Sequence, residues 1–422
     1  MKFLSKFQRR AFPTKSKKIA IIRLGAVASL SVVMVLSGCS LPDFNSKNPD
    51  ASEEKEASGQ SETIAGPLLK QQAGEGDANS YGSVQVFDGC SVIPIKTLTD
   101  LGLNYTEQST VTAAYLAESV PPDRAIERAT PFDGVGKCIY NFGEDLVAVD
   151  VLQPPFNEER ELESRMGRPE RQGAELRTEQ GMQVAVWQDE EEPVKWQFII
   201  GKQDLVIDGY TKLEQSKYGK RTPEQVANAI AKQAMANISK EPIAPIQHQY
   251  DAPYDDVPDP CEVVSAEAFQ QSYGEPASGY VEATYYAGDA EFKPDKGPMI
   301  SRTETSCRRS NLVPSGSIGD GYQSVKVDFT IYREDEWGKY GDWPCDPKGS
   351  ASSLTQPIAL DMKVGDGAVC LTSTGTGNKS LNFRVGKTAV EMTNWQTQDA
   401  ADPQQLAQKL EPLAQSIAEN LK

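Results

Sequence analysis

The chain repeats itself, and that repetition limits the folds open to it more than any other feature. Asp88-Gly89-Cys90, followed by Val92, Ile93 and Leu98, matches Asp259-Pro260-Cys261, followed by Val263, Val264 and Phe269. Gly102 closes the first block and Gly274 the second. Another cysteine arrives 48 residues after the first in one half (Cys138) and 46 in the other (Cys307). Val147-Ala148-Val149-Asp150-Val151 then answers Val325-Lys326-Val327-Asp328-Phe329. "FIIGKQDLVI", from Phe198, answers "FRVGKTAVEM", from Phe383, at a constant offset of 185. Finally Thr222-Pro223-Glu224-Gln225 answers Asp402-Pro403-Gln404-Gln405. Shared order and shared spacing mark a tandem duplication.

Each copy has a readable pattern. Residues 91–101 and 262–273 read as helices. Blocks 147–152 and 325–332 alternate like half-buried strands. Blocks 182–188, 195–200 and 205–208 form a meander, answered by 368–373, 380–385 and 389–393. Thr222 and Asp402 are N-caps with proline at N1 and glutamine at N3, so each opens a helix. Val226, Ala227, Ile230 and Ala234 make an apolar stripe, mirrored by Leu406, Ala407, Leu410 and Ala414. Pro412 is expected to kink or divide the second helix. The expected fold class is α+β: two tandem similar units, each an antiparallel sheet flanked by an N-terminal helix and a C-terminal helix.

The duplication also assigns the cysteines. Cys90–Cys138 and Cys261–Cys307 occupy equivalent places, so each should staple its own copy. Cys345 and Cys370 have no cysteine counterparts in the first half, so they should pair with each other. The absence of any CxxC leaves little support for thiol-redox or zinc chemistry.

The N-terminal stretch fixes the expected compartment. Lys2, Lys6, Arg9, Arg10, Lys15, Lys17 and Lys18 precede an apolar run from Ile19 to Leu36, interrupted by Arg23. Leu36-Ser37-Gly38-Cys39 follows. A basic stretch, an apolar stretch and small residues before a cysteine form an export signal. This stretch resembles the bacterial lipobox, which implies lipidation of Cys39 and cleavage before it. Two or three acyl chains anchor stably where one does not. Gln8-Arg9-Arg10-Ala11-Phe12 also resembles a twin-arginine motif, so the export route stays open.

The expected organisation is therefore a signal peptide over 1–38, then the lipidated cysteine and a disordered tether over 39–81. A first domain over 82–240, a Pro-rich linker over 241–257 and a second domain over 258–422 follow. The tether is rich in Ser, Glu, Lys and Gly and too poor in apolar residues to fold. The linker holds the only histidine, His248.

Charge and histidine content exclude several functions. Eight of the 43 basic residues and none of the 60 acids precede Cys39, so the remainder carries a formal charge of −25. Such a surface repels nucleic acid and anionic headgroups. With one histidine, triads, Cys-His pairs and multi-histidine zinc sites all converge on His248. No cofactor or metal motif stands out: "SIGDGY" and "VGDGAV" lack the alternating acids of a calcium loop.

At the Asp-Pro-Cys opening, the second cysteine and the closing capped helix, the chain resembles a family of actinobacterial secreted lipoproteins. That family carries a domain of unknown function, usually present once behind a lipobox and tether. The resemblance covers Asp88–Ser239 and Asp259–Lys422. The family's aromatic two residues after the second cysteine is Tyr140 in the first copy, whereas Arg309 stands there in the second. The resemblance implies location, disulfides and fold class, and no catalytic residues.

After the shared strand each copy departs from the repeat, at 154–181 and at 332–349. The second departure clusters Tyr332, Trp337, Tyr340 and Trp343 beside Cys345, a set able to stack on a sugar or grip a peptide. The expected function is a non-enzymatic binding or accessory lipoprotein on the extracytoplasmic face of the cell membrane. Its partners are the membrane, through the anchor, and an envelope peptide, glycan, lipid or protein. The alternatives are a wall-active hydrolase using paired carboxylates, which a buried acid pair in a cleft would favour, and a passive surface spacer.

Overall fold

A computed structural model describes residues 68–104, 106, 108–123, 136–214, 220–292, 300–311, 322–333, 344–345, 357–373, 379–394 and 402–422. Cys39 and the signal stretch lie outside the described residues, as do Trp337, Tyr340 and Trp343.

The first copy opens with β1 (Leu69–Gln72), β2 (Ser80–Tyr81), β3 (Val84–Gln85), α1 (Gly89–Val92) and α2 (Ile95–Asp100). It continues through β4 (Thr110–Leu116), β5 (Gly136–Asn141), β6 (Leu146–Leu152), α3 (Glu159–Met166) and α4 (Arg168–Arg171). It closes with β7 (Arg177–Glu179), β8 (Met182–Gln188), β9 (Lys195–Lys202), β10 (Leu205–Lys212) and α5 (Pro223–Ile238). The second copy runs through β11 (Gln247–Tyr250), α6 (Pro260–Val263), α7 (Ala266–Tyr273), β12 (Tyr280–Tyr286), β13 (Ala290–Phe292) and β14 (Ile300–Ser310). It ends with β15 (Ser324–Tyr332), β16 (Ile358–Leu360), β17 (Val369–Ser373), β18 (Lys379–Val385), β19 (Thr388–Asn394) and α8 (Pro403–Asn420).

The expectation of two tandem α+β units, each with its own helix-flanked sheet, is overturned. The fold is mainly β, and one antiparallel sheet of 15 strands runs through both copies in the order β16-β17-β18-β19-β15-β14-β12-β4-β5-β6-β10-β9-β8-β7, with β13 on β14. Read outward from β12 and β4, the two arms of the sheet are mirror images in element order. The reason for the fusion is an edge. In a separate unit β4 or β12 would present a row of unpaired backbone groups, and pairing them, from Tyr280 opposite Leu116 to Tyr286 opposite Thr110, closes both. Ala113 faces Ala283 at the centre of this seam. One apolar cluster, from Leu68 to Ala418, lies under the helices of both copies. From Leu68 onward the described residues form one compact unit without a division between the copies.

Local structure follows the capping chemistry more closely than the expected helix bounds did. The helices expected over 91–101 and 262–273 each break in two. Asp88 accepts from the Cys90 and Ser91 N–H groups and starts α1 early. Pro94 then follows Ile93, whose backbone has left the helical region (φ −130°, ψ 84°), and the first turn ends there. Asp259 and Ser265 cap α6 and α7 in the same way. The strands expected at 147–152 and 325–332, and both meanders, are present as β6, β15, β8–β10 and β17–β19.

One register differs from the sequence match. The left-handed residue of the meander's second turn is Gln203 (φ 53°) in one copy and Gly386 (φ 51°) in the other. The ladders therefore superpose two residues out of step with the alignment that set Gly201 against Gly386. Side-chain faces survive the slip because the period of a strand is two.

Thr222 and Gln225 form a full capping box on α5. Helix α8 runs undivided through Pro412. The Leu413 N–H next to the proline donates to the Ser272 hydroxyl of α7 at 3.0 Å, so a neighbouring side chain satisfies backbone polarity where the proline disturbs the helix. The departure at 154–181 is folded rather than loose. Its helices α3 and α4 cover the sheet face opposite α5, with Arg165 and Arg168 both on Asp208 and the Trp187 Nε1–H donating to Gln172.

Candidate functional site

The three disulfides pair Cys90 with Cys138, Cys261 with Cys307 and Cys345 with Cys370. The first two pin α1 to β5 and α6 to β14, the strands flanking the seam. On the helix side of that seam, beside α6 and the start of α7, lies a cavity of about 800 Å³. Its floor and walls come from Tyr115, Ala117, Glu118, Asp259, Cys261, Glu262, Ser265, Ala266 and Arg309. Its other wall is the 244–250 segment, where β11 pairs with β1 in a two-stranded sheet of their own. Both strands arise from stretches expected to be unstructured: Leu69–Gln72 from the tether and Gln247–Tyr250 from the linker.

Tyr115 and Tyr285 are repeat counterparts, in Thr112-Ala113-Ala114-Tyr115 and Glu282-Ala283-Thr284-Tyr285. Two residues beyond the facing alanines, they share the seam's helix-side face. The Tyr285 hydroxyl donates to Asp259 Oδ2 at 2.5 Å. Burial pushes both phenols well above their ordinary range, and Asp259 adds to the shift. Burial also raises the Asp259 carboxyl, against the donors that favour its ionised form.

His248 is not an exposed linker residue. It is 5% exposed and stacks on Tyr285 with ring centroids 4.3 Å apart. The Ile95 N–H donates to Gln71 Oε1 at 2.7 Å, which fixes the orientation of that amide. Gln71 Nε2 therefore donates to Tyr140 Oη at 3.2 Å and to His248 Nε2 at 2.9 Å. An accepting Nε2 places the ring proton on Nδ1, which has no hydrogen-bond partner among the described residues. Burial pushes the imidazole pKa down to about 3, so His248 is neutral at physiological pH.

Arg309 takes in the second copy the place that Tyr140 holds in the first. In the first copy the Tyr140 hydroxyl donates to the Ile93 carbonyl at 2.6 Å. In the second, Arg309 Nε donates to the Val264 carbonyl, the counterpart of Ile93, at 2.8 Å. The guanidinium also reaches Cys261 O at 3.3 Å and Glu118 across the seam at 2.6 Å. Removing it with Arg309→Ala orphans two buried carbonyls, and a loss of about 2 kcal/mol is expected. Arg309→Tyr, which restores the hydroxyl of the first copy, should recover roughly half of that in urea titrations, since one of two carbonyls regains its donor. Equal losses for both variants would contradict the equivalence.

Of the aromatic set expected to bind, Tyr332 ends β15 and its N–H donates to Lys387 O at 3.0 Å; Trp337, Tyr340 and Trp343 lie outside the described residues. Among the described residues no group of three metal-ligating side chains gathers, and no helix is long and apolar enough to cross a membrane. Sequence reasoning missed His248, Arg309 and the tyrosine pair. The signals were present: "QHQY" alternates, and Ala-x-Tyr recurs in both copies.

No family model matches the chain, and no curated protein matches it.

Proposed function

We propose that this chain is a non-enzymatic binding protein of the cell envelope, held at the extracytoplasmic face of the membrane through lipidated Cys39. Its partner enters the cavity over the seam. The observation that carries this reading is that the cavity draws walls from both copies while its buried ionic groups are committed to the scaffold. Asp259 accepts from Cys261 N–H, Glu262 N–H and Tyr285 at its two oxygens. Arg309 is divided among Val264, Cys261 and Glu118. Three disulfides fit an oxidising compartment.

One observation favours the rival hydrolase. Asp259 and Glu262 both line the cavity and both have raised pKa values, each chiefly through burial, with Asp259 raising Glu262 further. The duplication supplies an internal comparison. Asp88, at the equivalent cap, is raised to about 6 by burial and is absent from the cavity wall. The shift thus belongs to the cap position, and the two oxygens of Asp259 already accept three hydrogen bonds from the scaffold. Binding is the better-supported reading.

A photoreactive residue at Gln249, exposed on the cavity wall, should yield one discrete adduct on living cells. The same group at Val194, 55% exposed on a distant turn, should not. Filling the cavity with Ala266→Trp should remove the adduct. A silent Gln249 or identical adducts at both positions would reject the site. Cys39→Ala should abolish incorporation of labelled palmitate, and continued labelling would reject the anchor.

A further inference from the structure

A second cleft opens on the far side of the Val257–Pro258 segment, which borders both spaces. It measures about 240 Å³. Val263, Phe329, Ile331, Val385 and Leu421 supply its apolar lining, and Phe329, Ile331 and Val385 are less than 5% exposed. An apolar cavity of roughly 150 Å³ already admits a benzene-sized ligand. At the rim, Lys387 on the β18–β19 turn meets Asp256 at 2.7 Å. The two side chains differ sharply: that of Asp256 is 62% exposed and that of Lys387 is 24% exposed.

We propose that this cleft binds a single aliphatic chain ending in a carboxylate, with the chain against Phe329, Ile331 and Val385 and the carboxylate on Lys387. The aliphatic and aromatic part of the lining fits a hydrocarbon chain, and the hydroxyls of Thr305 and Thr388 lie beside it. The acidic remainder of the protein repels anions in general, so a bound anion has to answer a particular cation, and Lys387 is the cation at the rim. Asp256 occupies it from the solvent side, its own carboxylate exposed and screened by water. An incoming carboxylate takes its place while Asp256 turns back to water. The site is independent of the cavity over the seam.

Calorimetric titration of the full chain carrying Cys39→Ala, so that no attached acyl chain competes, tests the assignment with octanoate, octanol and octyltrimethylammonium as probes. Octanoate should bind at least fivefold more tightly than octanol, and octyltrimethylammonium most weakly. Lys387→Met should weaken octanoate about tenfold and leave octanol unchanged. Asp256→Asn, which releases Lys387, should tighten octanoate severalfold, a gain that misfolding does not produce. Ile331→Trp should abolish binding of both, and Ala266→Trp in the other cavity should change neither. The proposal is overturned if octanoate does not bind, if Lys387→Met and Asp256→Asn leave its affinity unchanged, or if Ala266→Trp removes it while Ile331→Trp does not.

Discussion

Between pH 7 and pH 4 the native chain is expected to lose about 3 kcal/mol more stability than the His248→Phe variant. The histidine pKa falls from its ordinary 6.5 to about 3 on folding because the ring is buried. Below pH 6.5 the unfolded chain takes up a proton that the folded chain refuses, so stability declines as pH falls and this contribution is gone below pH 3. Phenylalanine keeps the stack on Tyr285 and removes the titration. Protonation would also set an Nε2–H against the Gln71 amide hydrogen, which already points at that nitrogen. Urea titrations at each pH read the difference directly. As the chain has one histidine, a single imidazole resonance reports its protonation without assignment. Parallel pH profiles for the two proteins would show that His248 is solvated and that the tautomer deduced from Gln71 is wrong.

Converting Cys90 and Cys138 together to alanine should cost about 4 kcal/mol, given the 48 residues they enclose. The pair at Cys345 and Cys370 encloses 25 residues and should cost about 3.5 kcal/mol. The first staple matters locally as well: α1 lies so close to β5 that a Cβ on Gly89 would collide with the Gly136 carbonyl oxygen. Because the sheet is continuous and one apolar cluster serves both copies, the loss is expected to shift a single transition of the whole chain. Far-ultraviolet dichroism and tryptophan fluorescence, with Trp187 and Trp196 in the first copy and Trp337, Trp343 and Trp395 in the second, should then report one midpoint. Two steps, only one of them moved by the substitution, would mean that the copies unfold separately and that β4–β12 pairing is weak.

How much of this was legible in the sequence depends on the range of the interaction. Strands, caps and disulfides rest on local periodicity or on paired spacing, and those readings located β6, β15, the capping box at Thr222 and all three cysteine pairs. The single sheet was not legible. Alternation shows that residues 110–116 have two faces but not which strand lies beside them, and Ala113 meets Ala283 across 170 positions. His248 was misjudged because proline density around it suggested an extended linker. An extended segment is also what a short two-stranded sheet requires, and Leu69–Gln72 supplied the partner. Pro412 was read from its missing N–H alone, while the compensating hydroxyl of Ser272 lies 141 residues away. The cavities formed from such distant pieces were beyond reach for the same reason.

The seam has a historical consequence. Strands that are counterparts in the repeat, and that face each other residue for residue at Ala113 and Ala283, are what an isologous homodimer presents along its twofold axis. A single-copy ancestor carrying that strand would have paired with its own twin, and tandem fusion turned a concentration-dependent assembly into a permanent one. Once covalently joined, the partners no longer had to remain self-complementary. In the present chain Tyr140 of one copy stands where Arg309 of the other reaches over to Glu118 of its sibling, a difference that a pair of identical subunits could not carry.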